Sequence, residues 1–161
     1  MRKREEGFSY VIALFLVAVL AIVALRGIEH VATNEQREKE AQLLEAGQAY
    51  RDAIGSYYNG SSGTNKTFPP TVDALLEDPR TSTLFRHLRR RYLDPMTARP
   101  FAEVRNADDK LIGVVSTSKR QAIKVAGFTQ GLAGLNGKTT YQQWQFVFQP
   151  ETGGAPKGNG K

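Results

Sequence analysis

The chain has 161 residues, a formal charge of +6 at pH 7, 40% hydrophobic residues and no cysteine. That length suits one domain of ordinary size plus an anchoring segment and leaves no room for a second enzymatic domain. Without cysteine there is no disulfide framework, no thiolate metal site and no thiol nucleophile, and the redox state of the compartment leaves no mark on the sequence.

The first seven residues, MRKREEG, hold Arg2, Lys3 and Arg4 against Glu5 and Glu6. Residues 8–25 then carry no charge, and a helix of that length covers roughly 27 Å, close to the hydrocarbon thickness of a bilayer. In lipid every backbone N–H and C=O must pair within the segment, so the solvent itself imposes a helix. Beyond the run, Arg26, Arg37 and Lys39 are outnumbered by Glu29, Glu35, Glu38, Glu40 and Glu45. The basic excess at the N-terminus predicts that this end stays in the cytoplasm and the remainder crosses. Three readings fit: an uncleaved single-pass anchor, a secretory signal cut after a small residue such as Ala24, and an anchor whose leader is removed on the cytoplasmic side. The run is long for a signal's apolar core, which disfavours the second.

Past Leu25 the helical pattern continues. Ile28, Val31 and Ala32 make a short stripe, residues 33–42 are polar all round, and Leu43, Leu44, Gly47, Tyr50, Ala53, Ile54 and Tyr57 recur at three and four. Only this last third is predicted to pack on a domain, and Asn59 and Gly60 are placed to end the helix with a left-handed cap. Pro69 and Pro70 enforce extended backbone, Thr71 is positioned to cap a short helix ending before Pro79, and a second short helix is predicted over 81–91 with Leu84, Phe85 and Leu88 inward. Strands are predicted over 101–104 and 111–116, joined by a turn at Asp108 and Asp109, and over 141–148 with Trp144, Phe146 and Phe148 on one face. The fold class that follows is α+β, a long N-terminal helix packed through Leu43, Tyr50, Ile54 and Tyr57 on a small antiparallel sheet. Residues 116–138 are loop-rich, long enough to suggest function or mobility, and residues 151–161 have nothing to bury and are expected to be a disordered tail.

Chemistry-bearing residues are sparse. The two histidines, His30 and His87, read as solvated surface residues, so no catalytic site is expected. Arg86, Arg89 and Arg90 fall at helical spacing, with Arg80 and Arg91 nearby. They are read as meeting Glu35, Glu38 and Glu40 of a neighbouring subunit, with a plain solvated face as the alternative. Tyr92 is the one aromatic beside them, so stacking on nucleic acid is poorly supported and no nucleic-acid partner is expected.

The junction REEGFSYV resembles the leader junction of type IV prepilins and type II secretion pseudopilins. The order of a tyrosine-ended long helix, PPTVDALLEDPR and YLDPMTARPF is similar to the region between helix and sheet in the major pseudopilins. The resemblance implies a type IV pilin-like fold and a structural role in protein export. A prepilin peptidase would cut after Gly7, leaving Phe8 as an N-methylated mature N-terminus. Residues 8–26 would cross the bacterial inner membrane, and residues 27–150 would form a periplasmic head. Assembly would proceed with other pseudopilins or copies of itself, through the N-terminal helices around Phe8, Ile12 and Ala13, on an inner-membrane secretion platform. The small residues Ser9, Ala13, Ala18 and Ala21 would allow close helix approach within the bilayer.

Ile12 stands where most members carry a glutamate that pairs with a neighbour's N-terminal amine. The resemblance implies that this pair is missing here, which leaves a principal, minor, initiating or tip subunit open. Many major pseudopilins also hold calcium in a loop before the final strand. The matching VVSTSKRQAIK offers Ser116, Thr117 and Ser118 but no acid, while Lys119, Arg120 and Lys124 would repel a cation, so calcium is disfavoured and no cofactor is expected. The alternatives are a single-pass periplasmic binding module that never polymerises and a pilus-like DNA-uptake component.

Overall fold

A computed structural model describes residues 6–61, 66–81 and 84–150, with side-chain surroundings in the first helix given for 9–22 and from 33 onward. Residues 1–5 of the predicted leader and the predicted tail 151–161 lie outside the described residues. Helix α1 (Glu6–Asn59) is 54 residues long, and the chain divides into two units, Met1–Glu38 and Lys39–Lys161.

In the first unit the apolar side chains of α1 are bare on every side, from Tyr10 through Phe15 and Leu20 to Ile22. A helix apolar all round needs lipid or other helices about it. Among the described residues no helix is long and apolar enough to cross a membrane; within the predicted span over 8–25 the side-chain surroundings of Phe8 and of 23–25 lie outside them.

The second unit is α+β and is built on the other end of α1. Leu43, Ala46, Tyr50, Ala53, Ile54 and Tyr57 are all buried in one core. The three-and-four spacing of the sequence is therefore the packed face of the helix. Gly47 sits on that face because a Cβ there would lie 2.4 Å from the ring of Phe146, and one at Gly55 would lie 2.7 Å from the ring of Phe148. The expected left-handed cap does not form, since neither Asn59 nor Gly60 takes a positive φ. The Gly60 N–H instead donates to Ser56 O (2.8 Å), continuing the helical pattern, and Tyr57 O is capped by the Arg80 guanidinium at 3.0 Å.

Helix α2 is a single turn, Asp73–Leu76, and Val72 rather than Thr71 precedes it, with no side-chain cap. The predicted helix over 81–91 is absent among the described residues. Its backbone is claimed elsewhere: the N–H groups of His87 and Leu88 both donate to Leu75 O at 2.9 Å, and Phe85 O accepts from Asp78 N at 3.1 Å. Those tertiary bonds replace the i→i−4 ladder that the spacing suggested. Leu88 is buried as expected, but Leu84 and Phe85 are 59% and 53% exposed.

Strands β1 (Leu93–Asp94) and β2 (Arg99–Pro100) form a small antiparallel pair. Strands β3 (Ala102–Arg105), β4 (Leu111–Val115) and β5 (Gln145–Val147) form the main antiparallel sheet in that order. The β3–β4 turn is held by Asn106, whose Oδ1 accepts from the N–H groups of Asp108 and Lys110, while Asp109 takes the left-handed conformation at φ 57°. The third strand is shorter than predicted, because residues Tyr141–Gln143 make a 3-10 turn before it. Trp144 and Phe146 are fully buried against the α1 face, and Phe148 packs at the edge of that core. The segment 116–138 is ordered: Ala122 N–H bonds to Thr139 O, Gly137 N–H to Val125 O and Tyr141 N–H to Arg120 O, and Leu132 and Leu135 enter the core.

Candidate functional site

The residues singled out in the sequence fall into two groups. Gly7 and Phe8 belong to the first turns of α1, and their side-chain surroundings lie outside the described residues, as do those of His30. Ile12 is 44% exposed, and Ala13, Ala18 and Ala21 are also exposed. Glu35 and Glu38 are exposed as well.

Glu40 departs from the expectation that it faces a neighbour. It is buried, and its carboxylate accepts from Ile123 N–H (2.8 Å), Lys124 N–H (3.0 Å) and the Tyr141 hydroxyl (2.7 Å). The signal was present in the sequence. Carrying the stripe of Leu43, Leu44 and Gly47 one step back puts Glu40 on the core-facing side of α1.

The arginines sit on an irregular segment, not on a helix face. Arg86, Arg89 and Arg90 are exposed, with Arg90 stacked 5.0 Å from the Tyr92 ring centre, while Arg91 pairs with Asp73 at 2.5 Å. Beside them lie the exposed Leu84 and Phe85. These two large apolar side chains and the three exposed arginines share one segment, tied to the head by the backbone bonds of His87 and Leu88 to Leu75 O.

What ties that segment down is His87, which is not a solvated residue. Its side chain is 2% exposed, with Nδ1 2.8 Å from Ser56 Oγ and Nε2 3.1 Å from Asp78 Oδ2. Asp78 is also gripped by Arg80, whose Nε and Nη2 both reach the carboxylate, and whose guanidinium lies 3.5 Å from the Tyr57 ring centre. The Arg80 hydrogen bond holds the Asp78 carboxyl well below the usual carboxylate range, and burial pushes the Tyr57 hydroxyl above its ordinary value. Sequence proximity hid the pair, since Asp78 lies nine residues before His87 across a proline.

A serine, a histidine and a carboxylate in line also describe a nucleophilic relay, but the parts around them do not serve one. Ser56 is inside α1, where the neighbouring N–H groups are spent on the helix and offer no oxyanion donors. Arg80 already occupies both Asp78 oxygens. The arrangement is a clamp between α1 and the segment over 84–92.

The loop that the resemblance assigns to calcium does not offer a calcium donor set. The Ser116 hydroxyl donates to Asp94 Oδ2 at 2.8 Å, and Ser116 Oγ in turn accepts from Ser118 N–H. Asp94 also accepts from Met96 N–H and the Thr97 hydroxyl, so three hydrogen bonds hold its carboxylate within the β1–β2 turn and across to Ser116. Among the described residues no three histidine, aspartate or glutamate side chains converge as metal ligands.

An open groove of about 1590 Å³ lies between α1, β5 and the 3-10 helix Gln130–Leu135, with Arg51 bonded across it to Gly131 O. Its walls mix glutamines and glycines with apolar side chains such as Leu132, Phe146 and Phe148, and the charged groups on it include the ion pair of Arg51 with Asp52 at 2.7 Å. Comparison with protein-family models, with curated proteins and with solved structures returns no match.

Proposed function

We propose that the chain is a structural subunit of the pseudopilin kind, in a type II secretion or related pilus-like system. The observation that carries this reading is the junction at Gly7 and Phe8, a charged heptapeptide ending in glycine and running straight into α1. Two further features support it. The start of α1 is apolar on all sides and needs lipid or like helices around it, and the end of α1 is the spine of a small α+β head with an antiparallel sheet. That combination fits the type IV pilin-like architecture. In this reading a prepilin peptidase removes residues 1–7, Phe8 becomes the methylated N-terminus, and the N-terminal helices pack at the inner membrane with the heads on the periplasmic side. Assembly on the secretion platform needs surface, not chemistry, from this subunit.

The contact between heads falls to Leu84, Phe85, Arg86, Arg89 and Arg90, with Glu35 and Glu38 of a neighbour opposite the arginines. Exposed ion pairs contribute only about 0–1 kcal/mol each, so the apolar pair supplies most of the attraction and the charges set its register. The deciding measurement is the N-terminus and intact mass of the protein extracted from membranes of its own cells. A chain beginning at methylated Phe8 supports the reading; an intact Met1 leader overturns it in favour of an anchored binding module.

A further inference from the structure

The loop over 116–138 is closed by an anion supplied by the chain itself. Glu40 reaches it from α1, 6% exposed, and takes two consecutive backbone N–H groups, those of Ile123 and Lys124, together with the Tyr141 hydroxyl. Adjacent N–H groups converging on one point make an anion-binding concavity, the inverse of a cation site. The exposed Lys119 and Lys124 on the same loop add to its positive character. Both ends of the loop are then zipped by the ladder of Ala122 to Thr139 and Tyr141 to Arg120. The N–H groups of Ala122, Ile123, Lys124 and Tyr141 are thus all bonded to a carboxylate or a carbonyl of the chain itself.

We propose that Glu40 takes the place of a metal ion in this head, so that the loop closes and the subunit folds and assembles without divalent cations. The assembly part rests on the pseudopilin reading; the folding part stands on the head alone. The bonds to Glu40 are charge-assisted and therefore among the stronger ones available, and removing the carboxylate would take from the N–H groups of Ile123 and Lys124 their acceptor within the protein.

The full-length chain in detergent is unfolded by heat with excess chelator and again with millimolar calcium, following the fluorescence of Trp144, the only tryptophan. Amide exchange at Ile123 and Lys124 is measured alongside. The midpoint is expected to be the same in both solutions. Glu40→Gln is expected to lower it by roughly 5 °C and to speed exchange at those two amides about tenfold or more, a change equal to one hydrogen-bond's worth of local opening. Glu38→Gln, exposed on the same helix, is expected to change neither. Should Glu40→Gln fail to fold, Tyr141→Phe removes one of the three bonds and is read in the same way. A midpoint that rises by several degrees with calcium, or exchange at 123 and 124 indifferent to both substitutions, overturns the proposal. Failed cleavage at Gly7 with a cation-indifferent head would sink the pseudopilin reading and leave the Glu40 closure standing.

Discussion

His87 joins Ser56 to Asp78 through its two ring nitrogens, at 2.8 and 3.1 Å, and in doing so fastens the segment over 84–92 to the end of α1. Because the imidazole is buried, its removal leaves both a cavity and an unsatisfied carboxylate position. His87→Ala is expected to cost about 2–3 kcal/mol in chemical denaturation. It should also loosen the exposed pair Leu84 and Phe85, read as faster amide exchange over 84–88.

Asp78 gives the head a defined acid response. Its carboxyl is depressed below the ordinary 3.8 first by the Arg80 hydrogen bond and also by His87. A depressed carboxyl contributes stability that is intact above the ordinary value and lost as the pH falls through the depressed one. Asp78→Asn should therefore lose about 2 kcal/mol near neutrality, where the buried pair with Arg80 is broken. The gap to the parent should narrow in strong acid, below the ordinary carboxylate range. A gap independent of pH down to the acid transition would remove Asp78 from this role.

The contact of Gly47 with Phe146 predicts a steep response to the smallest possible addition. A methyl at Gly47 meets the Phe146 ring at 2.4 Å, whereas one at Gly134 meets nothing within 4 Å. Gly47→Ala is expected to destabilise by about 1–3 kcal/mol through overpacking, despite its gain in helix propensity, and Gly134→Ala to stay within about 0.5 kcal/mol. Thermal unfolding of the two variants side by side checks both.

Subunit association should depend on the 84–90 surface without the head's fold depending on it. Arg89→Glu with Arg90→Glu is expected to reduce crosslinking between subunits severalfold, and Phe85→Ser more so, with the unfolding midpoint unchanged. The arginine contribution should weaken with salt, since exposed charges are screened, while the Phe85 contribution should not. The chain has no native cysteine, so single introduced cysteines give an unambiguous crosslinking readout. Undiminished crosslinking in the arginine variants would remove this surface from assembly.

The parts legible in the sequence were those governed by periodicity. The α1 stripe from Leu43 to Tyr57, the β3–β4 hairpin and the inward face of Trp144 and Phe146 all follow from spacings of three to four or of two. The parts that were not legible turn on single long-range polar bonds. The stripe places Glu40 on the core-facing side of α1, but nothing in the spacing names its donor, Ile123, some eighty residues on. The helix predicted over 81–91 obeys a sound local pattern, but Leu75 O captures the two amides that would have propagated it. Thr71 and Asn59 are good capping residues by type, but α2 starts after Val72 with no side-chain cap, and Arg80 takes Tyr57 O at the end of α1.

A single helix that is apolar and bare at one end and the core of a folded head at the other cannot be drawn out of that head without unfolding it. Within the head, a load on residues 39–59 of α1 would be carried in shear by the packing of Tyr50, Ile54 and Tyr57 on the sheet, with Glu40 as a polar fastening. Shear spreads force over many contacts at once, whereas peeling breaks them one by one.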